Sequence, residues 1–314
     1  MNQEKPLIKL YRTRTFGEKI SDTFDFVREN WRIMLKYITY LLLPVALIQA
    51  YCTNNFMLGY MSLATNISDG FEDMLPWLGS MALFGLVIYL AMFLLIALVY
   101  TMMQLYEQRP GRLQGITFDE LRPGMMWRMG RLLVLLLTSL VVMLAIGLVV
   151  ALVAFLLASV SLSLMFPALL LLALAAPLLA LVTPIYLFEP IGVISAYAKS
   201  VRLGWKTWGG IVAVGFVLYF IVYIVQGVVS LPWSIMLILK NVLTLQSSDA
   251  GFTATFSYTA IQYLLGVASS FFGNCLMVLL FIGLAYQYGH ACDKVDGVSV
   301  DKGIEDFETL NVEP

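Results

Sequence analysis

Charge is scarce in this chain. Lysine, arginine, aspartate and glutamate together make up 12% of its residues, against about 25% in ordinary soluble domains. Histidine occurs once, at His290, and cysteine three times. A zinc site needs three or four converging ligands, and the run His290-Ala291-Cys292-Asp293 has no second cluster to complete one. No metal site and no cofactor are expected. Cys52 falls at the far end of the first apolar run, Cys275 inside the last and Cys292 just after it. Lying at different depths, they make no disulfide framework. The motifs HExxH, GxGxxG and GxSxG and a Walker loop are all missing. A hydrolase needs a nucleophile with its base, or paired carboxylates, and neither constellation is visible. The chain reads as no enzyme. Ionised residues are also missing from the middle of the apolar runs, which argues against ion-coupled transport. The net charge of −1 excludes nothing by itself.

What the chain has instead is apolar surface. Hydrophobic residues make up 60% of it, more than a soluble fold needs. They gather into six runs, each near or beyond the length of about 20 residues that crosses a bilayer: residues 36–56, 76–106, 132–160, 167–188, 210–239 and 260–287. The fold class expected is all-α: a polytopic integral membrane protein with six transmembrane helices and amphipathic interfacial helices on the cytoplasmic side. Residues 1–35 form a cytoplasmic N-terminal segment, 36–288 the six-helix domain and 289–314 an acidic cytoplasmic tail. The first thirty residues are charged and carry no secretory signal, so the first run is expected to stay as an anchor. Of the 19 lysines and arginines, only Lys240 falls on the far side of this arrangement. The positive-inside rule then places both termini in the cytoplasm.

Residues 188–209, between the fourth and fifth runs, organise this reading. Glu189-Pro190 is a helix-start signal. Ile194, Ala198, Val201 and Trp205 recur on one helical face, and Ser195, Lys199, Arg202 and Lys206 on another. Cations opposite an apolar stripe suit a helix lying flat at a membrane surface. Glu189, Lys199, Arg202 and Lys206 are the candidate binding residues, for anionic lipid headgroups or a protein partner. Glu189 is also placed to be a carboxylate near Arg202 or Lys206, although capping a helix is its simpler role. Two other segments repeat the theme. Thr15-Phe16-Gly17-Glu18 fits a capping box, followed by Phe16, Ile20, Phe24, Val27 and Trp31 on one face. Thr117-Phe118-Asp119-Glu120 is a second candidate, with Pro123 expected to shorten or bend the helix beyond it. Each segment ends with an indole beside a cation, Trp31-Arg32, Trp127-Arg128 and Trp205-Lys206, the pattern of an interface anchor. Three helix-plus-hairpin units would result, though the uneven spacing leaves a true repeat open.

Within the runs, Gly266/Ser270 and Ser269/Gly273 are small-residue pairs that allow close packing. Pro177 and Pro184 should bend the fourth run. Gln226, Gln262 and Asn274 are the polar groups at depth. Asn66-Ile67-Ser68 matches a glycosylation triplet that is common by chance. Trp77 and Trp233 are expected at the outer interface, and the tail Asp293–Pro314 is expected to be solvated.

The order Glu189, Gly192, Ala196, Ser200, Gly204, Trp208 resembles the cytoplasmic helix of a group of bacterial multi-span proteins. That group includes the membrane domain attached to some glycerophosphoryl diester phosphodiesterases and related stand-alone six-span proteins of unknown function. Phe16-Gly17-Glu18, followed by Phe24 and Trp31, is similar to the start of such proteins. The resemblance implies a multi-pass protein of the bacterial inner (cytoplasmic) membrane. The chain ends at Pro314 with no soluble domain, so no phosphodiesterase activity is expected of it. The leading expectation is a non-enzymatic scaffold, or a module that meets anionic lipids, a protein partner or a second copy of itself. Nucleic acid is not expected as a partner. The alternative is a transporter or channel for a neutral or lipid-like solute, lined by Gln226, Gln262 or Asn274.

Overall fold

The computed structural model describes residues 6–65, 71–160, 170, 173–246 and 255–299. The Asn66-Ile67-Ser68 triplet and most of the acidic tail lie outside them. Every element among the described residues is helical: α1 (Phe16–Thr65), α2 (Phe71–Gln108), α3 (Phe118–Val160), a 3-10 turn (Ala176–Leu179), α4 (Val182–Phe188), α5 (Val193–Gln246) and α6 (Phe256–Asp296). Among the described residues, five helices are long and apolar enough to cross a membrane: Phe16–Tyr60, Met74–Gln108, Phe118–Ala154, Val193–Lys240 and Phe256–Asp296.

The helices run further than the sequence suggests. The N-terminal amphipathic stretch and the first apolar run are one helix, α1. Its start is the expected capping box: the Thr15 N–H donates to Glu18 Oε2 at 2.6 Å, and the Glu18 N–H to Thr15 Oγ1 at 3.3 Å. Thr15→Ala should cost about 1 kcal/mol of local stability. Hydrogen exchange at the Glu18 amide is the readout, with acceleration of about fivefold expected. α3 likewise continues through Pro123 without shortening. That proline lies close to the helix start, where few hydrogen bonds are lost.

The fourth run differs most from expectation. Its described part, residue 170 and residues 173–188, passes from α-helical residues 173–175 into the 3-10 turn, a two-residue turn and the short α4. Pro177 sits at the start of the 3-10 turn and Pro184 inside α4. Each removes a backbone donor, so a continuous helix is interrupted here.

The chain forms two compact units. One gathers Met1–Asn30, Val99–Leu218 and Phe281–Pro314, and the other Trp31–Leu98 and Tyr219–Leu280. In the first unit, Phe26 meets Tyr106 and Tyr286 edge to face, with centroids 5.1 and 6.5 Å apart. Phe188 packs against Tyr100 at 5.0 Å and stacks on Tyr288 at 6.0 Å. In the second, Ala46, Ala50 and Val267 form a small buried cluster beneath Tyr263 and Phe271. Its polar side chains turn to one another. Gln226 Nε2 donates to the carbonyl and hydroxyl oxygens of Ser269, both at 3.2 Å, and Asn274 Nδ2 to Gln49 Oε1 at 3.0 Å. Gly266 and Gly273 make room for the side chains of Trp233 and Gln226. Trp233 donates to Asn54 Oδ1 at 2.8 Å, and Trp77 stacks on Phe56 at 6.0 Å.

Candidate functional site

The first unit holds a concentrated polar cluster, built around the link between α4 and α5. The expected helix start at Glu189-Pro190 is displaced to Val193. Glu189 instead closes α4, its N–H donating to the Ile185 carbonyl at 3.0 Å and its backbone extended. The reason lies in Arg131, whose Nη2 donates to the carbonyls of Glu189 and Ile191 at 3.0 and 2.7 Å. Those carbonyls are therefore held outside a helical ladder. Gly192 accepts the first α5 hydrogen bond, from the Ala196 N–H. The Arg131 guanidinium also lies over the Tyr186 ring at 3.9 Å and the Trp127 ring at 4.7 Å.

Freed from a helix N-terminus, the Glu189 carboxylate gathers donors. Lys199 Nζ reaches its two oxygens at 2.7 and 2.9 Å, and the Tyr288 hydroxyl donates to Oε1 at 2.6 Å. The Tyr11 and Tyr288 hydroxyls lie 2.9 Å apart. Burial pushes the Tyr11 hydroxyl up to about 12, since ionisation would place a charge among apolar neighbours and near Glu189. Asp296 takes the next cations: Arg202 Nη2 at 2.9 and 3.0 Å, and Lys199 at 3.5 Å. Among the four candidate residues, Glu189 and Lys199 are thus brought together, and Arg202 is joined to Lys199 through Asp296. Lys206 stands apart and exposed. Glu189 meets Lys199, in place of Arg202 or Lys206.

The residue order behind the family resemblance has a packing explanation. Ala196, Ser200 and Gly204 are buried on one face of α5. That face lies against the broken segment before α4: Ser200 Oγ donates to the Leu178 carbonyl at 2.7 Å, and Trp208 Nε1 to the Leu174 carbonyl at 2.8 Å. A Cβ on Gly204 would come within 2.9 Å of Leu178 Cα. Small residues are needed there because backbone meets backbone. The other face points outward: Ile194, Ala198, Val201 and Trp205 are all exposed, Ile194 at 86% and Trp205 at 76%. At Thr207 the backbone leaves helical geometry (φ −126°, ψ 22°) before α5 continues.

Arg128 departs from the expected anchor role. It is 1% exposed, turned inward from Trp127, which is exposed. Neutral oxygens of Thr101, Gly124 and Gln104 receive its guanidinium. Of the His290-Ala291-Cys292-Asp293 run, the side chains serve separate partners. His290 Nδ1 accepts the Arg14 N–H at 3.0 Å, Cys292 Sγ lies 3.9 Å from Glu189, and Asp293 accepts the Ser299 N–H at 2.9 Å. Among the described residues, no three metal-ligating side chains converge. The three cysteines are free.

Tyr288, Asp296, Arg131 and Tyr11 complete the cluster and were invisible to spacing rules. Tyr288 lies 99 residues from Glu189, and only the fold makes them neighbours. Comparison of the chain with protein-family models, curated proteins and solved structures finds no match to any of them.

Proposed function

We propose that this protein is a non-enzymatic membrane scaffold whose α5 start, residues 193–206, lies in the headgroup layer and presents its apolar stripe to lipid. One observation carries the reading. The charges at Glu189, Lys199, Arg202 and Asp296 are paired within the chain, Glu189 with Lys199 and Asp296 with Arg202, while Ile194, Ala198, Val201 and Trp205 face outward together. A stripe of that kind is stable against acyl chains and costly against water. The departure from helical geometry at Thr207 suits a segment that changes direction where it leaves the surface. Exposed Lys206 beside Trp205 is the cation placed to meet anionic headgroups.

Six crossings with both termini cytoplasmic, in a bacterial inner membrane, belong to the same proposal. The distribution of basic residues and the resemblance to the phosphodiesterase-linked membrane domains support them. The transport reading is weaker, because Gln226 and Asn274 are engaged in hydrogen bonds between helices. Such bonds are what polar groups in an apolar bundle make when they serve packing.

The test is a variant retaining Trp205 alone of the six tryptophans, the others replaced by phenylalanine, in vesicles containing brominated lipids. Trp205 fluorescence should be quenched most by bromines near the top of the acyl chains. Equal emission in brominated and ordinary vesicles would mean that lipid does not touch the stripe, and the reading fails.

A further inference from the structure

Tyr219 and Tyr223 stand one turn apart on α5 with their rings stacked, 6.3 Å between centroids. They are 54% and 66% exposed, and Phe220 between them is 52% exposed. Among the described residues, no hydrogen bond reaches either hydroxyl. In the sequence Tyr223 is 17 residues from Lys206 and 17 from Lys240, the cations on either side of this apolar run. A crossing bounded by those cations puts Tyr223 at the middle of the bilayer. Headgroups then lie about 15 Å away, half the thickness of the hydrocarbon layer, beyond the reach of a phenol. Tyrosine suits the membrane–water interface, where its hydroxyl meets water. At the midplane acyl chains offer it no acceptor, and an unsatisfied polar group there is costly.

The same face is dented. Gly227, one turn beyond Tyr223, is exposed, and nothing lies within 4 Å of its Cβ position. An open glycine in a membrane helix lets another helix come close. Residues 210–239 include no charged side chain, so no ion pair selects a partner of opposite charge. A hydroxyl, by contrast, is both donor and acceptor, and a face of hydroxyls is its own complement. Copies inserted in the same orientation present Tyr223 at one depth, as a two-fold interface requires.

We propose that the α5 face formed by Tyr219, Phe220, Tyr223 and Gly227 joins two copies of this chain within the bilayer. The tyrosine hydroxyls of one copy bond to those of the other about a two-fold axis, and the dent at Gly227 lets the two α5 helices approach. The inference rests on α5 crossing a bilayer, and not on lipid touching Trp205.

The test counts subunits by single-molecule photobleaching. The full chain, labelled once at its C-terminus, is placed in phosphatidylcholine vesicles over a range of lipid dilutions. Dimers should give way to monomers as lipid is added. Tyr219→Phe with Tyr223→Phe should weaken the dimer about tenfold, since both hydroxyl bonds are lost and the rings stay. Neither hydroxyl is bonded within the chain, so this variant should fold as the wild type does. Gly227→Leu should weaken the dimer at least as much, by filling the dent. Gly147→Leu, at an exposed glycine of α3, should leave it unchanged. Monomers at every dilution overturn the proposal, and so does a dimer of wild-type strength in the double phenylalanine variant or in Gly227→Leu. Release of the chain from the vesicles by alkaline carbonate would overturn the membrane crossing and this face with it. Retention without a dimer overturns the face alone.

Discussion

Gly289→Ala is expected to be among the most destabilising single substitutions in this protein, at about 3 kcal/mol. A Cβ there would stand 2.1 Å from the Leu10 carbonyl oxygen and 2.8 Å from its carbon. Those are backbone atoms, so no rotamer change relieves the clash. Leu10 is also fixed from both sides. Its N–H donates to Glu107, and its carbonyl accepts from Arg14 Nη1 at 2.9 Å. Moving it would disturb Arg14, which pairs with Asp22 and lies 4.6 Å over the Tyr286 ring. The N-terminal segment should detach as a piece. Limited trypsin digestion should then cut at Lys9 and Arg12 well before the wild type is cut. Gly147→Ala is the control, because nothing lies within 4 Å of that Cβ. If the two variants melt together and are digested alike, the close approach of Leu10 to Gly289 is wrong.

Glu189→Gln should cost about 2–3 kcal/mol while leaving the shape of the α4–α5 link intact. The amide keeps one acceptor for Tyr288, but Lys199 loses its charged partner and retains only Asp296 at 3.5 Å. Lys199→Met alone should cost a similar amount, by leaving the carboxylate with a hydroxyl and no counter-charge. The double variant should cost clearly less than the two single losses combined, since both charges then leave together. Thermal unfolding of the four proteins measures the coupling, for which about 1–3 kcal/mol is expected. Strictly additive losses would show that the 2.7 Å contact contributes no energy of its own.

Composition and patterning made the helical, membrane-suited character readable, because about 20 apolar residues in a row have few other stable uses. The α1 start was readable as well, since a capping box is a local device written in four residues. The α4–α5 link was not. Glu189-Pro190 is a valid helix-start signal, and it was overridden by Arg131, an arginine in another helix that claims two carbonyls of the link. Local rules contain no information about such a partner. Lys199 and Arg202 recur at spacings that suit a lipid-facing row, yet acids at positions 189 and 296 hold them. The face bearing Ala196, Ser200 and Gly204 was visible as a pattern, but its cause, contact with the backbone at Leu178, required the fold. Arg128 shows the same limit, because an indole beside a cation looks alike whether the cation faces lipid or is buried among neutral oxygens.

The make-up of the first unit fixes when it can assemble. Its pieces are drawn from stretches far apart along the polypeptide, and Gly289, the seat of Leu10, follows every apolar run. A ribosome must therefore translate past residue 289 before Leu10 finds its place and Glu189 meets Tyr288. Until then, the nascent segment around Leu10 waits with its eventual contact surface bare.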